Sequence, residues 1–204
     1  MNKILIGVLV VLGLLIVLVG GFVMWGTGVY DNAVKLQEDV NAEWANVQST
    51  YQRRMDLIPN LVETVKGYAN FEQETLTGVI EARSKATSVT IDPSKVTPQQ
   101  FAQFQQAQDG LSSALSRLMV VVERYPDLKA NQNFLDLQAQ LEGTENRINV
   151  ARQRYNDSIR LYNTYVRGFF KRFALGIFGG GEDFSVRKGF EASEGADKAP
   201  VVKF

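Results

Sequence analysis

The chain has 204 residues, with 22 basic and 22 acidic side chains and neither histidine nor cysteine. A zero net charge provides no overall field that would favour a nucleic acid or an acidic substrate. Without histidine or cysteine the chain cannot build the usual zinc sites, thiol nucleophiles or Ser-His-Asp triads. We therefore expect no metal, no cofactor, no nucleic-acid partner and no catalytic activity, and no motif identifies a small-molecule substrate.

The first predicted element is a helix that crosses a membrane. Residues 4–30 carry no charge, and a helix rising about 1.5 Å per residue crosses the hydrocarbon core in about 20 residues. A cleaved signal peptide would have a shorter apolar centre and a small-x-small cleavage site, so we favour a retained anchor over residues 1–30. Lys3, Trp25 and Tyr30 lie where such a helix would meet the lipid headgroups.

The charges beside the anchor predict its orientation. Lys3 and the terminal amine precede the anchor, whereas Lys35 follows it. Because basic residues are retained on the cytoplasmic side, we expect a single-pass membrane protein whose main domain is extracytoplasmic.

Long helices are predicted after the anchor. Apolar residues step by three or four from Leu36 to Ala69, which keeps them on one face of a helix in spite of Pro59. Two prolines among polar and β-branched residues predict a loop at 87–98, and Thr97 with Pro98 can begin the next helix. The predicted helices cover about 31–67, 70–87, 99–124 and 128–172.

The last of these helices has a seven-residue period. Large apolar residues recur over six heptads, which is typical of coiled-coil packing. We favour packing within one chain over packing against a second chain, and so predict an all-α, four-helix-bundle-like domain over 31–175. The heptad positions are Phe134, Leu141, Ile148, Tyr155, Tyr162 and Phe169.

Residues 176–204 differ in character from the helices. They begin with the glycine-rich sequence Gly176-Ile-Phe-Gly179-Gly180-Gly181, which predicts a hinge, and continue without a helical period. We favour an irregular, disordered end. The alternative is that the apolar end at Val201–Phe204 docks in a groove or pairs with the edge of a partner's sheet.

Two polar stripes lie beside the apolar faces and are the candidate partner-binding residues. Both can be solvated faces with local ion pairs, such as Glu63 with Lys66. Alternatively they dock a partner, because amides form hydrogen bonds across an interface without the desolvation cost of charges. A hydrolase using the carboxylates of Asp56 and Glu63 is a third possibility. The stripes are Arg53, Asp56, Asn60 and Glu63 on the first helix, and Asn146, Asn149, Gln153, Asn156 and Asn163 on the last.

Several motifs in this order resemble the LemA family of bacterial membrane-anchored helical proteins. They are the segments Arg53–Ala69, Tyr125–Ala130, Thr144–Ile148, Arg152–Asp157 and Pro200–Phe204. The resemblance covers nearly the whole chain, including the anchor.

The resemblance implies an antiparallel helical bundle behind one transmembrane helix of the bacterial inner membrane, with no established enzymatic activity or cofactor. Phe71 stands where the family has a histidine, and Phe169-Phe170 replaces its Phe-Pro. We therefore expect a membrane-anchored scaffold or interaction protein that binds itself or another envelope protein. The alternatives are a membrane-tethered enzyme without His or Cys, and a lipid-contacting envelope factor that uses the cationic last helix.

Overall fold

The fold is taken from a computed structural model that describes residues 3–68, 72–92, 96–180 and 184–191. These residues are helical apart from the connections and the segment 184–191, and they contain no strand. The predicted all-helical class is therefore confirmed. The helices are α1 Lys3–Lys66, α2 Gln73–Ser88, α3 Pro98–Val122, α4 Pro126–Lys129, α5 Gln132–Val166 and α6 Phe169–Phe178.

Helix α1 continues without a break from the predicted anchor into the domain. It is 64 residues long and passes through Pro59, as the shared apolar phase on both sides of that proline predicts. Residues 4–25 are all exposed, and burial begins at Gly26. Among the described residues, α1 is the one helix that is long and apolar enough to cross a membrane.

The described residues fall into two compact units. Unit 1 comprises those within 1–40 and 157–187, and unit 2 comprises those within 41–156 and 188–204. Neither unit coincides with the predicted domain 31–175, because α1 and α5 each contribute residues to both units.

The core of unit 2 combines residues from five helices. Leu61 of α1, Val79 of α2, Leu118 of α3, Leu128 of α4 and Leu141 of α5 all belong to its main hydrophobic cluster. Removing this much apolar surface from water is the main favourable term in folding. The predicted start of α3 is confirmed. The Thr97 hydroxyl accepts a hydrogen bond from the Gln100 N–H, and the Gln100 side chain accepts one from the Thr97 N–H.

The core of unit 1 comes from α1, α5 and α6. Lys171 of α6 lies over the Tyr165 ring, with its Nζ 4.0 Å from the ring centroid, and the Tyr165 hydroxyl donates a hydrogen bond to the Val29 carbonyl. The buried apolar residues of this unit include Val29, Ala33, Ile159, Tyr162, Val166, Ala174 and Leu175.

The last predicted helix, about 128–172, is divided in the structure. Pro126 begins the one-turn helix α4, and Gly168 takes a non-helical ψ of 130° between α5 and α6. The heptad prediction holds from Phe134 to Tyr162, which are buried. It is wrong for Phe169, which is 81% exposed, because the break at Gly168 ends the helical phase that would have carried its side chain inward.

The predicted connections and tail are described in part. Helix α1 ends at Lys66, α2 continues to Ser88, and α6 continues to Phe178, two residues beyond the predicted start of the hinge. Gly180 has a φ of +58°, which glycine adopts without steric cost after a helix. The break expected around Gly67–Phe71 begins where α1 ends, at Lys66, and its residues 69–71 lie outside the described residues, as does the predicted docking segment Val201–Phe204.

A candidate binding site: the tail on helix α5 and its aromatic pocket

An aromatic pocket in unit 2 holds Phe190, which is 8% exposed. The Phe190 ring centroid lies 4.9 Å from that of Phe101, 5.7 Å from that of Tyr155 and 6.1 Å from that of Trp44. The Arg152 guanidinium carbon lies 4.6 Å from the same ring centroid. Aromatic pairs at these distances and a cation over a ring face are both favourable. Phe190 is therefore an aromatic anchor seated in a pocket of aromatic rings.

The backbone of Phe190 is held by one asparagine of α5. The Asn156 amide Nδ2 donates to the Phe190 carbonyl at 2.9 Å, and the Phe190 N–H donates to Asn156 Oδ1 at 2.8 Å. Gln105 of α3 donates a further hydrogen bond from Nε2 to the Glu191 carbonyl at 3.1 Å. These hydrogen bonds satisfy backbone N–H and C=O groups of a tail segment that has no strand partner among the described residues.

Unit 1 repeats this arrangement with a second asparagine. The Asn163 Nδ2 donates to the Arg187 carbonyl at 2.8 Å, and the Arg187 N–H donates to Asn163 Oδ1 at 2.9 Å. The Arg187 guanidinium carbon lies 5.3 Å from the Tyr162 ring centroid. In the same unit, Phe184 packs edge-on against Tyr30, with 5.8 Å between ring centroids. Residues 184–191 are thus bound segments, whereas the sequence favoured a disordered end.

A network around one buried arginine joins three helices of unit 2. Arg54 of α1 is 1% exposed. Its guanidinium donates to Gln108 Oε1 at 2.7 Å, to Ser112 Oγ at 2.8 Å and to Glu145 Oε2 at 2.9 Å. The Glu145 side chain is 45% exposed, so the ion pair has one face toward water. Arg54 Nε has no hydrogen-bond partner among the described residues.

The position of Tyr51 in unit 2 perturbs its acidity. Desolvation by burial raises the pKa of Tyr51 to about 12, and the nearby positive charges of Arg152 and Arg54 oppose part of that rise. The hydroxyl therefore stays neutral throughout the physiological range. The Arg54 guanidinium carbon lies 5.2 Å from the Tyr51 ring centroid, so the ring contributes to the surroundings of the buried cation.

The polar stripe predicted on α1 lies on the surface. Arg53, Asp56, Asn60 and Glu63 are all exposed. The Glu63 carboxylate pairs with Lys66 at 3.0 Å, as predicted. Asp56 instead accepts a hydrogen bond from its neighbour one turn earlier, Gln52, at 2.7 Å. These residues are therefore available to a partner.

The polar stripe predicted on α5 divides into two kinds of residue. Asn146, Asn149 and Gln153 are exposed, and Asn146 lines a shallow surface groove of about 340 Å³ together with Glu43 and Asn46 of α1. Asn156 and Asn163 are partly buried and hold the tail backbone. The stripe was predicted either to be solvated or to bind a partner, whereas the segment that these two asparagines hold belongs to the same chain.

The three predicted membrane-interface residues have different surroundings. Trp25 is 42% exposed at the end of the exposed apolar stretch. Tyr30 is partly buried against Phe184. The side chain of Lys3 lies outside the described residues, although its backbone begins α1.

Sequence reasoning missed three features of unit 2. It passed over Arg54 in favour of its exposed neighbour Arg53. It also did not identify Phe190 as an anchor, although isolated phenylalanines in a polar tail are a usable signal. It also missed a surface groove of about 620 Å³ between α2 and α3. Small residues at helical spacing line that groove, namely Gly78, Ala82, Ala107, Gly110 and Ala114.

The fold and the site together define a helical protein with a candidate membrane-spanning helix and a bound tail segment. The chain belongs to the LemA family, because the model of that family matches residues 43–204. That range includes the aromatic pocket, both tail-binding asparagines and Arg54.

Curated relatives agree with this assignment. The chain is 25% identical over 154 residues to Protein LemA of Metamycoplasma hominis, an alignment that covers 76% of this chain and 67% of that protein. It is 26% identical over 155 residues to Magnetosome protein MamQ 1 of Paramagnetospirillum magneticum, which covers 66% of this chain and 56% of that protein. It is similarly 25% identical over 158 residues to Magnetosome protein MamQ of Magnetospirillum gryphiswaldense, covering 67% and 57% of the two chains. The chain thus spans little more than half the length of the MamQ proteins.

Proposed function

We propose that this protein is a membrane-anchored scaffold of the bacterial envelope that binds copies of itself or another envelope protein and has no catalytic activity. The observation that carries the proposal is the exposed apolar stretch 4–25 of α1, because the same helix continues into the domain core. Exposed apolar surface of this extent is unfavourable in water and is typical of a segment surrounded by lipid. The anchor crosses the inner membrane once, with the main domain extracytoplasmic.

The domain of this scaffold is an antiparallel four-helix bundle. The contacts of unit 2 support this arrangement. Trp44 of α1 packs against Tyr155 of α5, and Arg54, ten residues further along α1, binds Glu145, ten residues earlier in α5. Opposite chain directions in two packed helices produce this order of contacts. A bundle of this kind presents long helical faces to partners.

The exposed polar stripe of α1 is the proposed partner-binding surface, together with the exposed amides of α5. Asp56, Asn60 and Glu63 on α1 combine short amide and carboxylate groups that can form hydrogen bonds across an interface. Asn146 and Asn149 present similar groups on α5. A partner that covers these faces exchanges hydrogen bonds to water for hydrogen bonds to protein, so the surface contributes specificity more than affinity.

Self-association through the anchor is the first contact to test. A β-carbon built on Gly13 or Gly20 has no neighbouring atom within 4 Å, and the seven-residue spacing places both glycines on one helix face. Small residues allow membrane helices to approach closely. The double variant Gly13→Leu with Gly20→Leu should therefore shrink the particle of the full-length protein in mild detergent toward a monomer mass.

The matched control replaces two glycines on another face of the same helix, Gly7→Leu with Gly21→Leu, whose built β-carbons are equally open. That variant adds the same apolar volume and should retain the wild-type mass. The particle mass measured by light scattering with native mass spectrometry decides between the outcomes. A wild-type protein that is monomeric and carries no second protein in every detergent would remove the scaffold proposal.

A catalytic role is tested separately. If the role is binding, Asp56→Asn and Glu63→Gln should change a cellular readout only as far as they change the amount of assembled protein. A fully abundant and correctly assembled variant that has lost turnover of a defined substrate would overturn the non-enzymatic proposal.

A further inference from the structure

Helix α6 of unit 1 is apolar on two adjoining faces. One face carries Ala174 and Leu175, which are buried, and Phe178, which is partly buried. The other face carries Phe170, Phe173 and Ile177, which are 70%, 57% and 54% exposed. Their spacing of three and four residues places these three side chains together on the helix surface.

A further aromatic side chain extends the exposed apolar face of α6. Phe169, at the first position of α6, adds a ring that is 81% exposed and packs edge-on against Phe170, with 5.3 Å between ring centroids. Three neighbouring phenylalanines and an isoleucine form a contiguous apolar patch, and soluble proteins rarely expose such patches unless they mark a contact surface.

The inner face of α6 attaches this patch to the end of the apolar stretch of α1. The Phe178 ring centroid lies 5.7 Å from that of Phe22. Phe178 also occupies the space beside Gly26, so a β-carbon at residue 26 would collide with its ring. Phe22 is followed by Trp25, the last residue of the exposed stretch of α1. Within unit 1, α6 is therefore joined to α1 at the level where lipid tails would give way to headgroups.

The charged residues within α6 and in the ten residues that precede it are all basic. Residues 158–181 contain no aspartate or glutamate, whereas Arg167, Lys171 and Arg172 lie at or beside α6. Lys171 is partly buried and its Nζ lies over the Tyr165 ring. Arg167 and Arg172 are exposed to solvent. Aromatic side chains combined with cations are the composition of helices that lie in the interface of a membrane containing anionic lipids.

We propose that α6 is an interfacial membrane helix whose Phe169, Phe170, Phe173 and Ile177 enter the headgroup region of the bilayer that α1 crosses, with Arg167 and Arg172 on anionic headgroups. This inference rests on the proposed transmembrane anchor, and it adds a second, lateral contact with lipid. The bilayer is the occupant because the helix that carries the patch packs, through Phe178, against Phe22 in the exposed apolar stretch of α1.

The chain has no cysteine, so a single introduced cysteine can be labelled without background. Phe170→Cys and Phe173→Cys report on α6, Leu15→Cys reports on the anchor, and Val120→Cys, at a site 71% exposed on α3, is the matched aqueous control. Each full-length variant carries an NBD fluorophore in nanodiscs of phosphatidylcholine and phosphatidylglycerol at a ratio of about 7:3. Quenching by doxyl-labelled lipid and by aqueous iodide is then measured.

We expect doxyl lipid to quench the labels at 15, 170 and 173, and iodide to quench the label at 120. Quenching of the label at 15 alone would overturn the α6 proposal and leave the anchor intact, whereas no lipid quenching at 15 would remove the anchor itself. Labels at 170 and 173 that resist both quenchers would show that a second protein copy covers the patch, which also overturns the proposal.

The electrostatic part has its own test. Arg167→Gln with Arg172→Gln should abolish the difference in emission of the label at 173 between the mixed nanodiscs and nanodiscs of phosphatidylcholine alone. The control variant, Arg147→Gln with Arg154→Gln, removes two exposed arginines from α5 and should preserve that difference. Equal emission in the two lipid compositions for the otherwise unchanged Phe173→Cys protein would refute a role for anionic headgroups.

Discussion

Replacing Arg54 by methionine tests whether the buried arginine network stabilises unit 2. Methionine retains most of the length and apolar stem of arginine but removes the five N–H donors and the charge. Arg53→Met is the matched control, because it makes the same chemical change at the adjacent, exposed position. The comparison separates the network from a general effect of losing a basic residue on α1.

The structure predicts the size of the effect. Gln108 is 3% exposed, so its Oε1 would lose its partner at 2.7 Å without access to water, at a cost of about 1–3 kcal/mol. The Glu145 carboxylate, with a side chain 45% exposed, would instead be rehydrated at little cost. The substitution also removes the desolvation cost of the buried charge and of the unpartnered Arg54 Nε. This gain offsets part of the lost stability. We expect Arg54→Met to lower the free energy of unfolding by about 2 kcal/mol, and Arg53→Met to change it by less than about 0.5 kcal/mol.

Urea unfolding of the full-length protein in mild detergent, followed by circular dichroism at 222 nm, measures both values. The melting temperature should fall by about 4–8 °C for Arg54→Met. Adding Gln108→Leu to Arg54→Met should recover at most about 1 kcal/mol, because it removes the unsatisfied Oε1 acceptor but also the Nε2 donor to the Ala86 carbonyl, at 3.3 Å. If Arg54→Met is as stable as Arg53→Met, then the network contributes nothing and the reasoning is wrong.

The other predictions concern a buried hydroxyl and the tail. Because the pKa of Tyr51 is raised to about 12 in the fold from about 10 in the unfolded chain, its neutral form is the one that folding favours. Unfolding free energy should therefore decline between pH 10 and pH 12 by up to about 3 kcal/mol more in the wild type than in Tyr51→Phe; equal pH profiles in urea titrations would contradict this. Asn156→Asp keeps the oxygen that accepts from the Phe190 N–H but loses the donor to the Phe190 carbonyl. Asn156→Leu loses both groups. It should therefore accelerate hydrogen exchange of the Phe190 amide more than Asn156→Asp does. Exchange at Arg187, held by Asn163, provides the internal control.

The helices could be predicted because each depends on local periodicity and local chemistry. The apolar spacing from Leu36 onward survives passage through Pro59, and the Thr97-Pro98 pair contains its own cap and first turn. The break at Gly168 was missed because a heptad pattern continues through Phe169, and the pattern carries no information on whether the backbone remains helical. One glycine with a non-helical ψ is enough to turn an expected core residue outward.

The candidate site could be predicted only in part. The asparagines at 156 and 163 were predicted, from their positions on a polar stripe, to bind a partner, but the groups they bind lie 34 and 24 residues away in the same chain. No local pattern connects an asparagine in a helix with the backbone of a polar tail. Arg54 was missed for a related reason, since Arg53 and Arg54 have the same chemistry in sequence and differ only in the direction that the helix gives them.

By itself, the sequence determined the helical class, the apolar helix at the amino end, the family and the absence of histidine and cysteine chemistry. These follow from composition and from periods of three to seven residues, which act within one helix. The tertiary structure decided which polar residues are enclosed and which face outward, and it brought Phe190 into a pocket built from three helices. It also turned the outer face of α6 to the surface. Those outcomes depend on the packing of segments far apart in the chain, where burial and partner geometry, rather than local propensity, determine the free energy.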